Sequence, residues 1–250
     1  MEKEKLDIEE FVECKPVQNE EESNLFNMDE KTEDVSTEVE ASSSEKVAEE
    51  TSKEKFIRMF NSIEQLSNET KQSILSYLEN TDFYIAPASS KYHNNCPEGL
   101  VKHSINVAET LLDLTNKHNL VWERKDSPLV IGLLHDICKI ATYSQTEKNV
   151  LVGQDPKTRK NVWEKRLVYT YDNKLPHLGV HGDKSVAFLL MLAKNNDFTI
   201  QELSCIRYHM GNTQEGDTQA YSTVQRLEPL VVWTNIADTI ASLTEPILTV

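Results

Sequence analysis

The 250-residue chain has no long hydrophobic run and few cysteines, and these two features argue against several classes of protein. No stretch of eighteen apolar residues occurs, so no membrane-spanning helix is expected. No apolar stretch follows the charged first residues, so no signal peptide is expected either. The four cysteines are scattered without a Cys-x-x-Cys pair, which argues against a zinc knuckle or a disulfide framework. We therefore expect a cytoplasmic protein with reduced thiols.

Motifs of common phosphate and acyl chemistry are also missing. The chain has only seven glycines, and they form neither a Walker motif nor another phosphate-cradling loop. No Ser, Cys or Thr lies in a nucleophile-elbow motif. These absences argue against P-loop chemistry and against covalent catalysis. For a hydrolase, they favour attack by an activated water.

Negative charge is concentrated in the N-terminal fifth of the chain. Residues 1–55 hold 19 Asp/Glu and 7 Lys/Arg, a net of −12 within a whole-chain charge of −15. No aromatic residue occurs between Asn27 and Ser52. Such a segment buries too little apolar surface to offset its ordering entropy. We predict that residues 1–52 form a disordered acidic tail, open to a protein partner, and that residues 53–250 form one domain. A short docking helix around Ile8 to Val12 is the alternative for the tail.

Apolar residues at helical spacing predict that residues 53–250 form an all-α bundle around one core. Val101 and Ile105 belong to one such stripe. Asn68 is the predicted N-cap of the second helix, and Ser127 with Pro128 opens the fourth. The predicted helices are Lys53–Leu66, Glu69–Glu79, Leu100–Lys117, Ser127–Ala141, Asp183–Lys194, Ile200–Met210 and Glu228–Leu243.

Two segments rich in Val, Trp and Tyr, Asn149–Val152 and Val162–Tyr171, predict a small β-hairpin inserted into the bundle. With Trp163 and Tyr169 nearby, the basic tip of this hairpin could cover a nucleotide or a short strand. A solvated, exposed turn is the alternative. The charged residues of the tip are Lys157, Arg159, Lys160, Lys165 and Arg166 against Asp155 and Glu164, a net of +3.

His135 and Asp136 follow an almost wholly apolar run, residues 129–134, in the predicted central helix. A buried charge must be paired or coordinated, because an unpaired one costs several kcal/mol. Neighbouring helical side chains diverge by about 100°, so this pair can hold one ion only at the shoulder of the helix. Lys139 could then meet a phosphate oxygen. The alternative is that Asp136 pairs with Lys139 and that His135 makes a core hydrogen bond.

Three further residues stand in comparable surroundings. His103 flanks an apolar stripe, His209 lies at a predicted helix end, and Asp238 lies within an apolar helix. Each one alone is more often a satisfied core or surface residue. Together with His135 and Asp136 they form a mixed nitrogen and oxygen set suited to Mn, Fe, Co, Ni, Zn or Mg. The spacing leaves open whether these side chains converge.

This order of residues resembles the defining motif of the HD superfamily of metal-dependent phosphohydrolases, over about residues 83–245. Glu98-Gly-Leu-Val-Lys-His103 is similar to the first motif of the family, and Leu134-His-Asp-Ile-Cys-Lys139 to its His-Asp-x-x-Lys helix. His181-Gly-Asp-Lys-Ser185 and Arg207-Tyr-His-Met-Gly211 resemble the two extra histidine motifs of a bacterial and phage subgroup. Asn235-Ile-Ala-Asp-Thr-Ile-Ala241 resembles its closing Ala-Asp helix.

The resemblance implies a helical HD-domain fold that binds one or two divalent ions. In the two-ion case a single carboxylate, that of Asp136, bridges the ions. The implied ligands of the first ion are His103, His135, Asp136 and Asp238, and those of the second are Asp136, His181 and His209.

The resemblance also implies roles toward the substrate. Lys139, together with Asp136, is expected to act in catalysis by contacting phosphate or orienting the attacking water. Lys184 and Arg207, within the extra histidine motifs, are expected substrate contacts. His93, in the loop before the first motif, could also reach the substrate, and an ordinary loop histidine is the alternative. Asn235 stands where relatives often carry His, and its amide can still make a hydrogen bond that supports a ligand.

The expected function is hydrolysis of a phosphate ester in a nucleotide, cyclic nucleotide or oligonucleotide by metal-activated water. The expected partners are a small phosphorylated substrate or a short nucleic acid, and no membrane. A catalytically silent HD scaffold that binds a nucleotide or a protein partner is the alternative. A decoy whose acidic tail mimics nucleic acid is a third hypothesis.

Overall fold

The part of the chain that the structure describes is mostly helical, as the apolar spacing predicted. This computed structural model describes residues 50–172, 179–213 and 218–246. The prediction of a disordered tail over residues 1–52 therefore lies outside the described residues up to position 49, and it was wrong for Thr51 and Ser52, which begin the first helix. Two 3-10 turns, Ile137–Lys139 and Gly211–Thr213, follow the fourth and sixth helices. Within the described ranges the α-helices are α1 (Ser52–Asn61), α2 (Asn68–Glu79), α3 (Gly99–His118), α4 (Ser127–Leu134), α5 (His181–Leu192), α6 (Ile200–Arg207), α7 (Thr218–Leu227) and α8 (Leu230–Thr244).

The first residues of these helices follow from local capping. Thr51 caps α1 in a capping box, in which its side chain and that of the third helical residue exchange backbone hydrogen bonds. Ser67 caps α2, so the prediction of Asn68 as the cap was wrong by one residue. Asp126 takes the N-cap position of α4, and the predicted cap Ser127 is the first helical residue. The helix starts were therefore predicted to within about two residues.

Two helices end five or more residues before the predicted position, and one helix was missed. α1 ends at Asn61 rather than Leu66, and α4 ends at Leu134 rather than Ala141. The apolar pattern continues beyond both ends, because the following loops are also buried. α7 was not predicted, since none of its residues is fully buried and only one side of it packs on the core.

The core is centred on α3, which lies against both α4 and α8. α3 and α4 approach closely at Gly132. A Cβ atom added there would lie 2.3 Å from the Cα of Ala108. Leu111, Leu133 and Leu134 are fully buried between these helices and their neighbours. This packing fixes the relative positions of the side chains that α3 and the end of α4 direct inward.

The predicted hairpin is present as strands β1 (Tyr143–Gln154) and β2 (Asn161–Tyr171). The strands are antiparallel, and the first begins six residues earlier than predicted. The hairpin closes at its base, where the backbone N–H of Asp172 donates to the carbonyl of Thr142 over 2.7 Å. Most side chains on both of its faces are exposed. The hairpin is therefore an insertion that projects from the helices rather than a part of the core.

Two further expectations were reduced cysteines and the absence of a membrane-spanning helix. Cys138 and Cys205 are buried free thiols. Cys96 is disulfide-bonded, so the expectation of reduced thiols does not hold for it. Among the described helices, none combines the length and the apolar character needed to cross a bilayer.

Candidate metal centre

The end of α4 brings an imidazole and a carboxylate to one point. His135 is the first residue after the helix, and Asp136 follows it with φ −106° and ψ 18°, before the 3-10 turn. Because the chain leaves the α-helix here, the two side chains need not diverge as successive helical residues do. The Nε2 atom of His135 and Oδ2 of Asp136 lie 3.3 Å apart, and both residues are almost fully buried. The prediction had placed this pair within a helix that continued to Ala141, whereas the structure places it just beyond the end of α4.

Side chains from α3 and α8 complete this group. Nε2 of His103 lies 3.3 Å from Nε2 of His135 and 3.4 Å from Oδ2 of Asp136. Oδ1 of Asp238 lies 3.1 Å from Nε2 of His103 and 3.9 Å from that of His135. Ligands about 2.1 Å from a shared divalent ion stand about 3.4 Å from one another in a tetrahedron. The ligand atoms of His103, His135 and Asp136 therefore lie close enough together for a common ion, and Asp238 adjoins them through His103.

A second group uses the other oxygen of Asp136. Its Oδ1 atom lies 2.7 Å from Nε2 of His181 and 3.5 Å from Nε2 of His209. His181 is the first residue of α5, and His209 follows α6 by two residues. The two oxygens of one buried carboxylate thus face two separate sets of imidazoles. Each set lies close enough together to hold a metal ion.

Ring orientation shows which imidazole nitrogens are available to a cation. Nδ1 of His135 lies 2.9 Å from the carbonyl oxygen of Gly132, and Nδ1 of His209 lies 2.6 Å from that of Ile206. A carbonyl only accepts hydrogen bonds, so each Nδ1 carries the proton and each Nε2 keeps a lone pair. Nε2 of His209 is buried and makes no hydrogen bond. Such an orphaned acceptor in a polar cluster fits a metal ligand.

Opposite charges balance in the cluster. Burial opposes the ionisation of Asp136, yet the ammonium of Lys139 beside it holds the pKa of this carboxyl well below its ordinary value. Burial likewise opposes protonation of His103, but its contacts with Asp136 and Asp238 hold its pKa well above the ordinary value. Two ionised carboxylates therefore share a buried space with protonated groups. A divalent cation would supply the same compensating charge.

A family comparison agrees with this geometry. The family model for the HD domain matches residues 100–241, more than half of the chain. The chain belongs to the HD domain family. The resemblance inferred from the motifs is thereby confirmed, while the bacterial and phage subgroup stays a prediction. Neither a curated protein nor a solved structure matches the chain.

Lys139 lies beside the metal centre of this HD domain. Its Nζ atom contacts Oδ2 of Asp136 over 2.6 Å, and its side chain is only 10% exposed. Burial opposes its charge, but Asp136 raises the pKa of the ammonium above its ordinary value. Lys139 is therefore a positive charge held against the carboxylate of Asp136. Its pairing with Asp136 is the contact that the simpler interpretation of the sequence predicted.

The three other predicted substrate contacts lie at different distances from the centre. His93 is half-buried, its ring centroid is 4.7 Å from that of His103, and burial lowers its pKa to about 4, so it is neutral near pH 7. Lys184 is half-buried in the first turn of α5, close along the helix to His181. Arg207 donates from Nε to Oδ1 of Asp183 over 2.7 Å. The structure brings His93 to the cluster and holds Arg207 through Asp183.

Two supporting residues lie just behind the ligands. The amide of Asn235 donates to the carbonyl oxygen of His209 over 2.7 Å, so this departure from the family pattern still supports the second group. Glu245 was missed by the sequence analysis. Its carboxylate oxygens lie 3.0 and 3.1 Å from Nδ1 of His103. No motif marks Glu245, because it follows the last helix and its contact is purely tertiary.

Proposed function

We propose that this HD domain hydrolyses a phosphate ester in a nucleotide, cyclic nucleotide or oligonucleotide, with two divalent ions as cofactors. The observation that carries the proposal is the carboxylate of Asp136, whose two oxygens face two sets of ligand atoms, buried except for His181, which is 32% exposed. The first ion would be held by His103, His135, Asp136 and Asp238, and the second by Asp136, His181 and His209.

The donor set is suited to this cofactor. Imidazole nitrogens and carboxylate oxygens together accept Mn, Fe, Co, Ni, Zn or Mg, and no thiolate takes part. A divalent ion in such a site acts as a Lewis acid that activates water and offsets the charge of a phosphate. The protein supplies the lone pairs of the imidazoles, already oriented by their Nδ1 hydrogen bonds, and excludes bulk water by burial.

Lys139 is proposed to bind the phosphate group. One N–H of its ammonium donates to Asp136, which leaves two N–H groups for phosphate oxygens. Its ammonium, held in place by Asp136, would stabilise negative charge that develops on the phosphate. Asp136 would act in the same step by fixing the positions of Lys139 and of the metal ligands relative to one another. His93, neutral and next to His103, is placed to contact the same substrate.

The proposed substrate class rests on the hairpin and on two basic residues near α5. Lys157, Arg159 and Lys160 are exposed at the hairpin tip, where they can approach a polyanion. The base of the hairpin begins at Tyr143, directly after the buried segment that carries Lys139. Lys184 and Arg207 would contact a phosphate of the substrate, although Arg207 must then share its guanidinium with Asp183.

A hydrolysis screen tests this function. Nucleoside monophosphates, cyclic nucleotides and short oligonucleotides would be offered with Mn, Co, Ni or Mg. The products would be separated and measured: nucleoside and phosphate from a monophosphate, a nucleoside monophosphate from a cyclic nucleotide, and shorter nucleotides from an oligonucleotide. We expect turnover of at least one class, abolished by chelator and by Asp136→Asn but not by Asp113→Asn, an exposed change on α3. If no substrate is cleaved while two ions are bound and nucleotides still bind, the silent scaffold is the correct alternative.

A further inference from the structure

Glu245 lies at the end of α8 with a buried carboxylate, its side chain 1% exposed. Both of its oxygens face Nδ1 of His103, at 3.0 and 3.1 Å. The amide of Asn106 donates to Oε1 over 2.9 Å. A buried carboxylate is tolerated only when its lone pairs are satisfied, and these contacts satisfy them.

The position of Glu245 is fixed by the backbone around it. Its own N–H donates to the carbonyl of Ala241 over 3.1 Å, which ends α8. The next residue, Pro246, accepts at its carbonyl from the N–H of Asn94 over 2.8 Å. The segment is therefore hydrogen-bonded both to its own helix and to the loop before α3. These bonds fix the position of the Glu245 carboxylate beside His103.

His103 is held at both ring nitrogens by α8. Asp238 and Glu245 are seven residues apart, about two helical turns, so they project from the same side of the helix. Oδ1 of Asp238 lies 3.1 Å from Nε2, and Glu245 contacts Nδ1. The imidazole of His103 thus has a carboxylate beside each of its two ring nitrogens.

His103 differs in this respect from His135 and His209. In those two rings Nδ1 faces a backbone carbonyl, whereas in His103 it faces an ionisable carboxylate. A carboxylate is the stronger hydrogen-bond acceptor, and a carboxylate behind a ligating imidazole fixes its tautomer and raises the basicity of its other nitrogen.

We propose that Glu245 is a positioning residue of the first metal site. It accepts the Nδ1 proton of His103 and thereby presents the Nε2 lone pair to the ion. The inference rests on the proposed metal-dependent function, and it adds a residue outside the HD motif and outside the matched segment 100–241.

Metal titration of Glu245→Gln tests the proposal. The change keeps the shape of the side chain and removes its charge, and Glu109→Gln on the exposed side of α3 is the matched control. We expect Glu245→Gln to weaken binding of one Mn or Zn ion about 10- to 100-fold, with the melting temperature of the metal-free protein nearly unchanged. Affinities equal to wild type in a folded Glu245→Gln protein would overturn the proposal. Absence of metal binding by wild type itself would instead overturn the proposed function.

The tautomer of His103 gives a second readout that needs no variant at Glu245. In zinc-loaded wild-type protein labelled with 15N-histidine, long-range 1H–15N spectra distinguish a proton on Nδ1 from one on Nε2. The signals of His103 are those that disappear in His103→Gln. We expect the Nδ1–H form, with its proton protected from exchange. A zinc-bound His103 that carries its proton on Nε2 would overturn the proposal, even if Glu245→Gln fails to fold.

Discussion

The candidate metal centre and the hairpin tip differ in how the fold holds them. The ligand side chains come from α3, α5, α8 and the residues just after α4 and α6, and those of His103, His135 and Asp136 are at most 2% exposed. The hairpin is held together mainly by cross-strand pairing, and Trp163 and Leu167 are 56% and 65% exposed. Geometry at the centre is thus determined by many helices at once. Geometry at the hairpin tip depends on two strands.

This difference suggests a division of labour. Preorganised ligands need a rigid, buried setting, whereas a surface that meets substrates of variable length can be exposed. The base of the hairpin is adjacent to the centre along the chain, because only Ile140, Ala141 and Thr142 separate Lys139 from the first strand. We therefore expect changes at the centre to affect metal binding and stability, and changes at the tip to affect substrate affinity alone.

The largest expected effect is that of Asp136→Ala. This change removes the bridging carboxylate and leaves the buried ammonium of Lys139 without its partner. We expect loss of both ions and of activity, together with a destabilisation of the metal-free protein by about 3–5 kcal/mol. Chemical denaturation and elemental analysis would measure the two effects, with Asp113→Ala on the surface as the control. Wild-type stability and metal content in Asp136→Ala would contradict the account of the centre.

Gly132→Ala is expected to have the next largest effect. The added Cβ would lie 2.3 Å from the Cα of Ala108, so α3 and α4 must move apart. We expect a destabilisation of about 1–3 kcal/mol and weaker metal binding, because His103 and His135 are carried by these two elements. Thermal unfolding and metal titration would measure this, with Gln72→Ala on the exposed side of α2 as a comparison. A tolerated Gly132→Ala would show that the centre is less tightly determined than proposed.

A change at the hairpin tip tests whether this region affects substrate affinity without affecting metal binding. Replacing Lys157, Arg159 and Lys160 together by Gln should raise KM for an oligonucleotide about three- to tenfold at low salt, with kcat and metal content unchanged. The matched control replaces Lys71, Lys117 and Lys125, which lie outside the hairpin. Kinetics identical to wild type at low salt would mean that the tip is only a solvated turn.

Deletion of the acidic N-terminal segment should have the smallest effect. The cut falls after residue 49, because Thr51 caps α1 and Glu50 pairs with Arg58 at 2.7 Å. We expect the melting temperature in reducing buffer and the turnover to stay close to those of the full chain. Reducing buffer keeps the thiol of Cys96 in the same, reduced state in both proteins. A drop of more than about 5 °C would contradict the proposal that the segment lies outside the folded domain.

Much of the helical fold could be predicted, and the reason is visible in single elements. α3 shows its buried side through regular apolar spacing, and Pro128 marks the start of α4. The end of α4 could not be predicted, because Ile137, Cys138 and Ile140 continue the apolar pattern through the 3-10 turn. α7 was missed since its inward residues are only half-buried.

The candidate site was predictable in its members but not in its arrangement. The sequence motifs name His103 and Asp238, but spacing along the chain gives no measure of the 3.1 Å that separates them. Glu245 shows the limit most clearly. Its contact with His103 joins residues 142 positions apart, and neither local propensity nor the family motif marks it.

The most direct test of the central claim is a count of metal ions per chain. Elemental analysis of wild type, His181→Ala, His209→Ala and Asp136→Ala would be carried out on folded protein after removal of loose metal. The account predicts about two ions for wild type, about one for each histidine variant and close to none for Asp136→Ala, since Asp136 touches both sets of ligands. Partial activity should survive in His209→Ala. At most one ion in wild type, with full metal and activity retained in His181→Ala and His209→Ala, would contradict the two-ion centre.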